Sequence, residues 1–269
     1  MTRRLPLLAA LLLLAALAWL DLPRTLATET LDAALGDAFS AFAIAKGLNA
    51  SISVLQSSTL DFQVFQLSVG EALDPANDMI ERFSWVMFAA SGSLALQKLL
   101  LGISSSAIIK GLLSLACLIA ALALAGNAPR WRRAALRGVL VCAFLRFAVV
   151  AVALASGMAE HAFLEAPRNQ AMTELRSSQE QLETLAEHRL AQGEADDRSW
   201  WEGLTDRVGS LVDNPVEGMT ERFDALTDRV IDLTMIFITQ TMLFPLGFLY
   251  LLYRLAAAGI REWTRPRRE

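Results

Sequence analysis

Arg146 stands in the run LVCAFLRFAVV, with apolar residues on both sides. A guanidinium at the centre of a membrane helix costs about 3 kcal/mol on insertion scales, so such a residue marks either an ion or substrate path or a polar bond that pins two helices. Snorkelling of its stem toward the inner surface is the bland alternative. A partner has to lie at equal depth. Pro245, in LFPLGFLYLLYRL, has no N–H to offer the carbonyl four residues back, which belongs to Thr241. Arg146, Gln240, Thr241 and Pro245 are therefore the candidate polar network, with the Gln240 amide and the Thr241 carbonyl as acceptors. Asp232 lies nearer the outer end of the same run. Lys98 and Lys110 flank GISSS and read as lysines reaching for head groups.

Little else in the chain resembles a reaction centre. His161 and His188 are 27 positions apart and lack metal-ligand spacing. Cys117 and Cys142 lie inside apolar blocks and read as small packing hydrophobes, not as a disulfide or zinc pair. There is no P-loop, dinucleotide fingerprint, nucleophile elbow or H-E-x-x-H. The carboxylates sit on polar helical faces, and no basic, aromatic-interleaved surface points to nucleic acid. The expectation is a non-enzymatic protein with no catalytic residue, no metal and no cofactor. Trp200 and Trp201, inside GEADDRSWWEG, are either the cap of a hairpin core or a docking point for a partner.

The elements that must carry these residues are membrane helices. Hydrophobic residues make up 54% of the chain, and they are gathered into blocks. Four blocks are near the roughly 20 residues a span needs: 5–20, 107–126, 138–157 and 230–255. Backbone groups in lipid have to be satisfied within the segment, so these blocks are helices. The first follows Arg3 and Arg4 and contains Ala16-Leu17-Ala18, which leaves a retained anchor and a cleaved signal both open. A fifth block, 83–101, carries Ser84, Ser91, Ser93, Gln97 and Lys98.

Charge arbitrates. Arg130, Arg132, Arg133 and Arg137 form one basic loop, and Arg261, Arg265, Arg267 and Arg268 form a basic tail. Both belong in the cytoplasm, as do Arg3 and Arg4. An even number of crossings satisfies all three, so four spans are expected, with 83–101 on or dipping into the outer face. Met158–Asp228 holds 16 acidic residues against 6 arginines, a net of −10, which is the charge of an external segment. Trp19 and Trp85 then mark the outer interface, and Trp131 and Trp263 the inner one.

The string DPANDMIERF at 74–83 returns as NPVEGMTERF at 214–223. Asp74 and Asn214 read as helix caps before Pro75 and Pro215. Met79 and Phe83, like Met219 and Phe223, share a face, while Glu81, Arg82, Glu221 and Arg222 look to water. Duplication of a two-span unit is one reading; the other is that both strings are simply how a helix approaches a membrane. LTDRVGSL at 204–211 and LTDRVIDL at 226–233 echo each other with apolar residues at i, i+4 and i+7.

Outside the spans, 28–48 reads as an amphipathic helix with Leu31, Leu35, Phe39 and Phe42 on one face, closed by Gly47. ISVLQSSTLDFQVFQLSVGE has the alternation of a β-hairpin with a bulge near Val64. Residues 166–192 form a polar helix with a Met172, Leu175, Leu182, Leu185 stripe interrupted by Gln179, one arm of a helical hairpin whose other arm is 203–228.

The stretches NDMIERFSWVM…LQKLL and FITQTMLFPLGFLYLLYRL resemble an uncharacterised group of proteobacterial inner-membrane proteins. The likeness covers about a fifth of the chain and has no catalytic motif; it implies location alone.

The expected fold is a mainly α, polytopic membrane protein of about four transmembrane helices, with an external helical hairpin and a small external β-hairpin. Its parts are an N-terminal anchor or signal (1–20), an external segment of amphipathic helix, β-hairpin and interfacial helix (21–106), and a helical pair around the basic loop (107–157). An external acidic hairpin (158–228), a last span (229–256) and a basic tail (257–269) follow. The expected role is a scaffold or accessory subunit of an envelope complex in the bacterial inner membrane. Its partners are the lipid bilayer and a membrane or periplasmic protein or a second copy. A small transporter or channel component built on Arg146 is the alternative.

Overall fold

The computed structural model describes residues 4–58, 66–126, 129–192 and 215–264. Helices account for nearly all of them: α1 Arg4–Trp19, α2 Leu22–Ser58, α3 Gln66–Ser104, α4 Ala107–Ala125, α5 Pro129–Phe163, α6 Glu165–Gln192, α7 Pro215–Ile238, a π-helical turn Thr239–Leu243, and α8 Phe244–Thr264. Among the described residues, four helical segments are long and apolar enough to cross a membrane: Asp74–Ser104, Ala107–Ala125, Trp131–Phe163 and Ala225–Gly259. This is the build of a helical membrane protein. α1 is short for a span and passes the same test only together with α2, from which it is bent by 45°.

Several expectations need correction. No strand occurs among the described residues. Ile52–Ser58 continue α2 and Gln66–Val69 open α3, so the β-hairpin is not formed there; residues 59–65 lie outside the described residues. Alternation in that stretch is real, but it is flanked by helices long enough to carry the pattern along. Gly47 does not close a helix, since α2 runs through it. Asp74 caps no helix start either, because α3 begins upstream and takes Pro75 into its interior. Pro215, in contrast, is the first residue of α7. The 83–101 block lies within a candidate span. Two of its polar residues are satisfied locally: Ser84 and Ser91 donate to the carbonyls of Glu81 and Met87 on their own helix.

The chain forms two compact units. One comprises Met1–Leu35, Gly92–Ala162 and Gln240–Glu269; the other comprises Gly36–Ser91 and Phe163–Thr239. In the first, the apolar unit, α1 packs closely on α4. Leu11 and Ala18 of α1, Leu113, Cys117, Ala120 and Leu124 of α4, and Val139 and Cys142 of α5 form one core. Small residues at these contacts let backbones approach without a hydrophobic driving force between helices. Leucines and isoleucines such as Ile108, Leu115 and Leu122 point outward from α4, as a lipid-facing surface requires.

In the second, acid-rich unit, the core residues recur at alternating spacings of three and four. They are Ala38, Ala41, Ala45, Leu48 and Ile52 on α2, Ala76, Ile80, Phe83, Met87 and Ala90 on α3, and Leu226, Val230, Leu233 and Phe237 on α7. That period keeps one stripe facing neighbours that run nearly parallel. The buried α2 stripe is mostly alanine. Phe39 is exposed instead, so the face expected through Leu35 and Phe39 is rotated: close packing selects the small residues and leaves the large ones at the flank. On α6, Leu175 and Leu182 are buried as the stripe required, and Gln179 lies against Gly47, in the space a Cβ there would occupy. α6 packs on α7, joined by an Arg229–Glu174 ion pair, and Arg168 pairs with Asp37 of α2 at 3.2 Å.

Candidate functional site

Pro23 lies one residue into α2. Its ring clashes with the carbonyl of residue 19 and its nitrogen offers that carbonyl no N–H, so a helix arriving from α1 has to stop. α1 does end at Trp19, and the last carbonyls of the helix lose their regular donors. Arg146 supplies replacements. Its Nε and Nη2 both donate to the Ala18 carbonyl at 3.2 Å. Arg146 is 2% exposed, and its guanidinium lies 5.3 Å from the Phe147 ring centroid. A cation at a helix C-terminus also meets the negative end of the helix dipole.

Asp21 occupies the break itself. Lys110, in the first turn of α4, donates from Nζ to Asp21 Oδ1 at 2.7 Å. Lys110 is 7% exposed, whereas the Asp21 side chain is about half open. The Lys110 ammonium lies 5.6 Å from the Trp19 ring, and the Trp19 indole N–H donates to Ser114 Oγ at 3.2 Å. Asp21 is close enough to act electrostatically on Arg146, yet no described carboxylate forms a salt bridge with that guanidinium. The α3–α4 break reaches the same neighbourhood. Ser106 caps α4, accepting weakly from Ile109 N–H at 3.5 Å, and Ser105 Oγ is buried with no hydrogen-bond partner.

The ion pairs set the register of the apolar unit. Lys110 meets Asp21 and Lys98 meets Asp32, so α3–α4 runs antiparallel to α1–α2 on both sides of the breaks. Arg146 meets Ala18, and Gly157 lies against the Thr30 methyl, so α5 runs parallel to α1–α2. Lys98 and Lys110, expected at head groups, are thus tied to carboxylates of the chain.

The second polar spot is the π-helical turn. The Thr241 carbonyl, freed by Pro245, accepts from Ser93 Oγ at 3.1 Å and from Gln97 Nε2 at 3.4 Å. Gln240 is buried, and both polar atoms of its amide have no hydrogen-bond partner. Arg146 therefore does not join Gln240 and Thr241: the four residues expected as one network fall into two, Arg146 at the α1 end and Gln240, Thr241 and Pro245 at the turn.

The remaining expected residues are spread out. Phe83 is buried, Met79 half-buried, and Asp74, Glu81 and Arg82 exposed, with Arg82 bridged to Asp78 at 2.7 Å. Asn214, Trp200 and Trp201 lie outside the described residues, as do the side chains of Met219, Glu221, Arg222 and Phe223. Cys117 and Cys142 are free and buried, and no group of metal-ligating residues occurs among the described residues. Sequence reasoning missed Asp21 and the Ala18 carbonyl. The signal for both was Pro23, which frees carbonyls on α1 as Pro245 does on the last span. The chain matches no family model, no curated protein and no solved structure.

Proposed function

We propose that the chain is a non-enzymatic scaffold or accessory subunit of an envelope complex, held in the bacterial inner membrane by its apolar unit and offering its acid-rich helical unit to a partner in the periplasm. The observation that carries this reading is the exposed acidic side of α6, within the second compact unit. Glu180, Glu183 and Glu187, exposed along one side of α6, supply a face for a basic partner.

The passages through the apolar unit support four crossings. Each is about 30 residues of helix, or ~45 Å at 1.5 Å per residue, close to a bilayer with its head groups. The antiparallel register with α1–α2 supports reading α3–α4 as one passage, although each of the two helices is long and apolar enough to cross alone. Four passages keep Arg3 and Arg4, the Arg130–Arg137 cluster at the start of α5 and the Arg261–Arg268 cluster on one side, as the positive-inside rule asks. Ala18 is fully buried and bonded to Arg146, which favours α1 as a retained anchor.

Purification of the full chain in mild detergent tests the role. A partner retained by the wild type should be lost from Glu180→Lys/Glu183→Lys/Glu187→Lys while helicity is unchanged. Equal retention by the variant contradicts the α6 face as the docking surface. The small-transporter reading is favoured by a separate observation, the charges at two helix breaks midway through the passages; it requires flux in proteoliposomes that Arg146→Leu abolishes.

A further inference from the structure

We infer that Lys110 and Arg146 form a binding site for a small monocarboxylate-like anion at the level where α1 gives way to α2 and α3 to α4. The inference goes beyond the scaffold role and does not depend on it.

Charge balance is the starting point. Two buried cations face one carboxylate, Asp21, and that carboxylate is half open and committed to Lys110. Arg146 is committed to a carbonyl, which has no formal charge. The C-terminal ends of α1 and α3, at Trp19 and Ser104, each offset about half a unit of positive charge. Against them, the N-terminal ends of α2 and α4 arrive at the same level, each worth about +0.5. Lys110 stands in the first turn of α4, where the dipole disfavours a cation. The four helix ends cancel, and the sum is an excess of about one positive charge within apolar surroundings, where an uncompensated charge is expensive. One monoanion balances it; a dianion overshoots.

Hydrogen bonding narrows the class. With Nε and one Nη2 proton on the Ala18 carbonyl, Arg146 keeps its far edge, a pair of N–H donors matched to two oxygens of one group. Ser105, 4% exposed, holds a hydroxyl with no partner immediately before the α4 cap. An unpartnered buried donor beside a helix N-terminus is the second mark of an anion site. A carboxylate meets these donors better than a halide, since it spreads one charge over two acceptors.

The test is thermal unfolding of the purified full chain in neutral detergent at fixed ionic strength, exchanging a bulky sulfonate for formate or acetate. The expected result is a saturating rise in melting temperature. The half-saturating concentration should increase about tenfold in Arg146→Lys, the loss of one charge-assisted hydrogen bond, and be unchanged in Arg229→Gln, which alters the other unit. Should Arg146→Lys fail to fold, Ser105→Ala, which keeps every charge, should still shift the midpoint to higher concentration. A rise that never saturates, no rise at all, or the same midpoint in wild type and variants overturns the proposal.

Discussion

Arg146 gives two N–H groups to the end of α1, and Lys110 holds the first turn of α4 to Asp21. Between them these contacts stitch the break after Trp19. Replacing Arg146 by Leu leaves the buried Ala18 carbonyl without its donors, and a loss of about 1–3 kcal/mol is expected. Arg146→Lys should recover part of it, read by denaturant or thermal unfolding in detergent. Gly157 makes a sharper test of packing. Thr30 presses its methyl into the space a Cβ at Gly157 would take, and its hydroxyl is anchored to the Leu26 carbonyl at 2.9 Å, so it does not step aside. Gly157→Ala should cost about 1–3 kcal/mol, and Thr30→Ala in the same chain should return most of that. Equal stability of Gly157→Ala and wild type contradicts the α2–α5 register. At this scale the sequence was half legible. Arg146 announced itself by standing alone in an apolar run, but its partner is a backbone oxygen, and backbone oxygens leave no letter in a sequence. Only Pro23 hinted that one would be free.

The π-helical turn ahead of α8 shows what one proline does to an element. Pro245 removes the donor for Thr241, the helix widens over Thr239–Leu243, and Ser93 and Gln97 of α3 take the carbonyl. In Pro245→Ala the regular N–H returns. Ser93→Ala should then cost clearly less than the ~1 kcal/mol expected for a net hydrogen bond in the wild-type background, and a double-mutant cycle reads the difference as coupling. Additive losses contradict the account. The freed carbonyl was legible because proline chemistry is local; its donors were not, because they lie about 150 positions away. The strand pattern expected on either side of residues 59–65 gives way to helix at Ile52–Ser58 and from Gln66 onward for a related reason. Period-two alternation over a short window competes with helices that already run from Leu22 and back from Ser104, and the long elements win. The apolar face of α2 was misassigned because hydropathy favours phenylalanine over alanine, while close helix packing favours the reverse.

For the whole molecule, composition carried the class: long apolar helices were legible as blocks. Within the apolar unit, α3 and α4 follow α2 and α1 in an antiparallel course, the arrangement on which the proposed even count of crossings rests. Of the repeated strings, 74–83 falls on α3 and 215–223 on the start of α7. Labelling in spheroplasts by a membrane-impermeant maleimide decides the threading most directly. The chain should first be freed of its own thiols by Cys117→Ala and Cys142→Ala, then given Glu180→Cys on α6 or Arg132→Cys in the basic first turns of α5. Four crossings with cytoplasmic arginines predict that Glu180→Cys is labelled from outside in intact spheroplasts and Arg132→Cys only after the membrane is opened. Labelling of both from the same side, or of Arg132→Cys alone from outside, contradicts it.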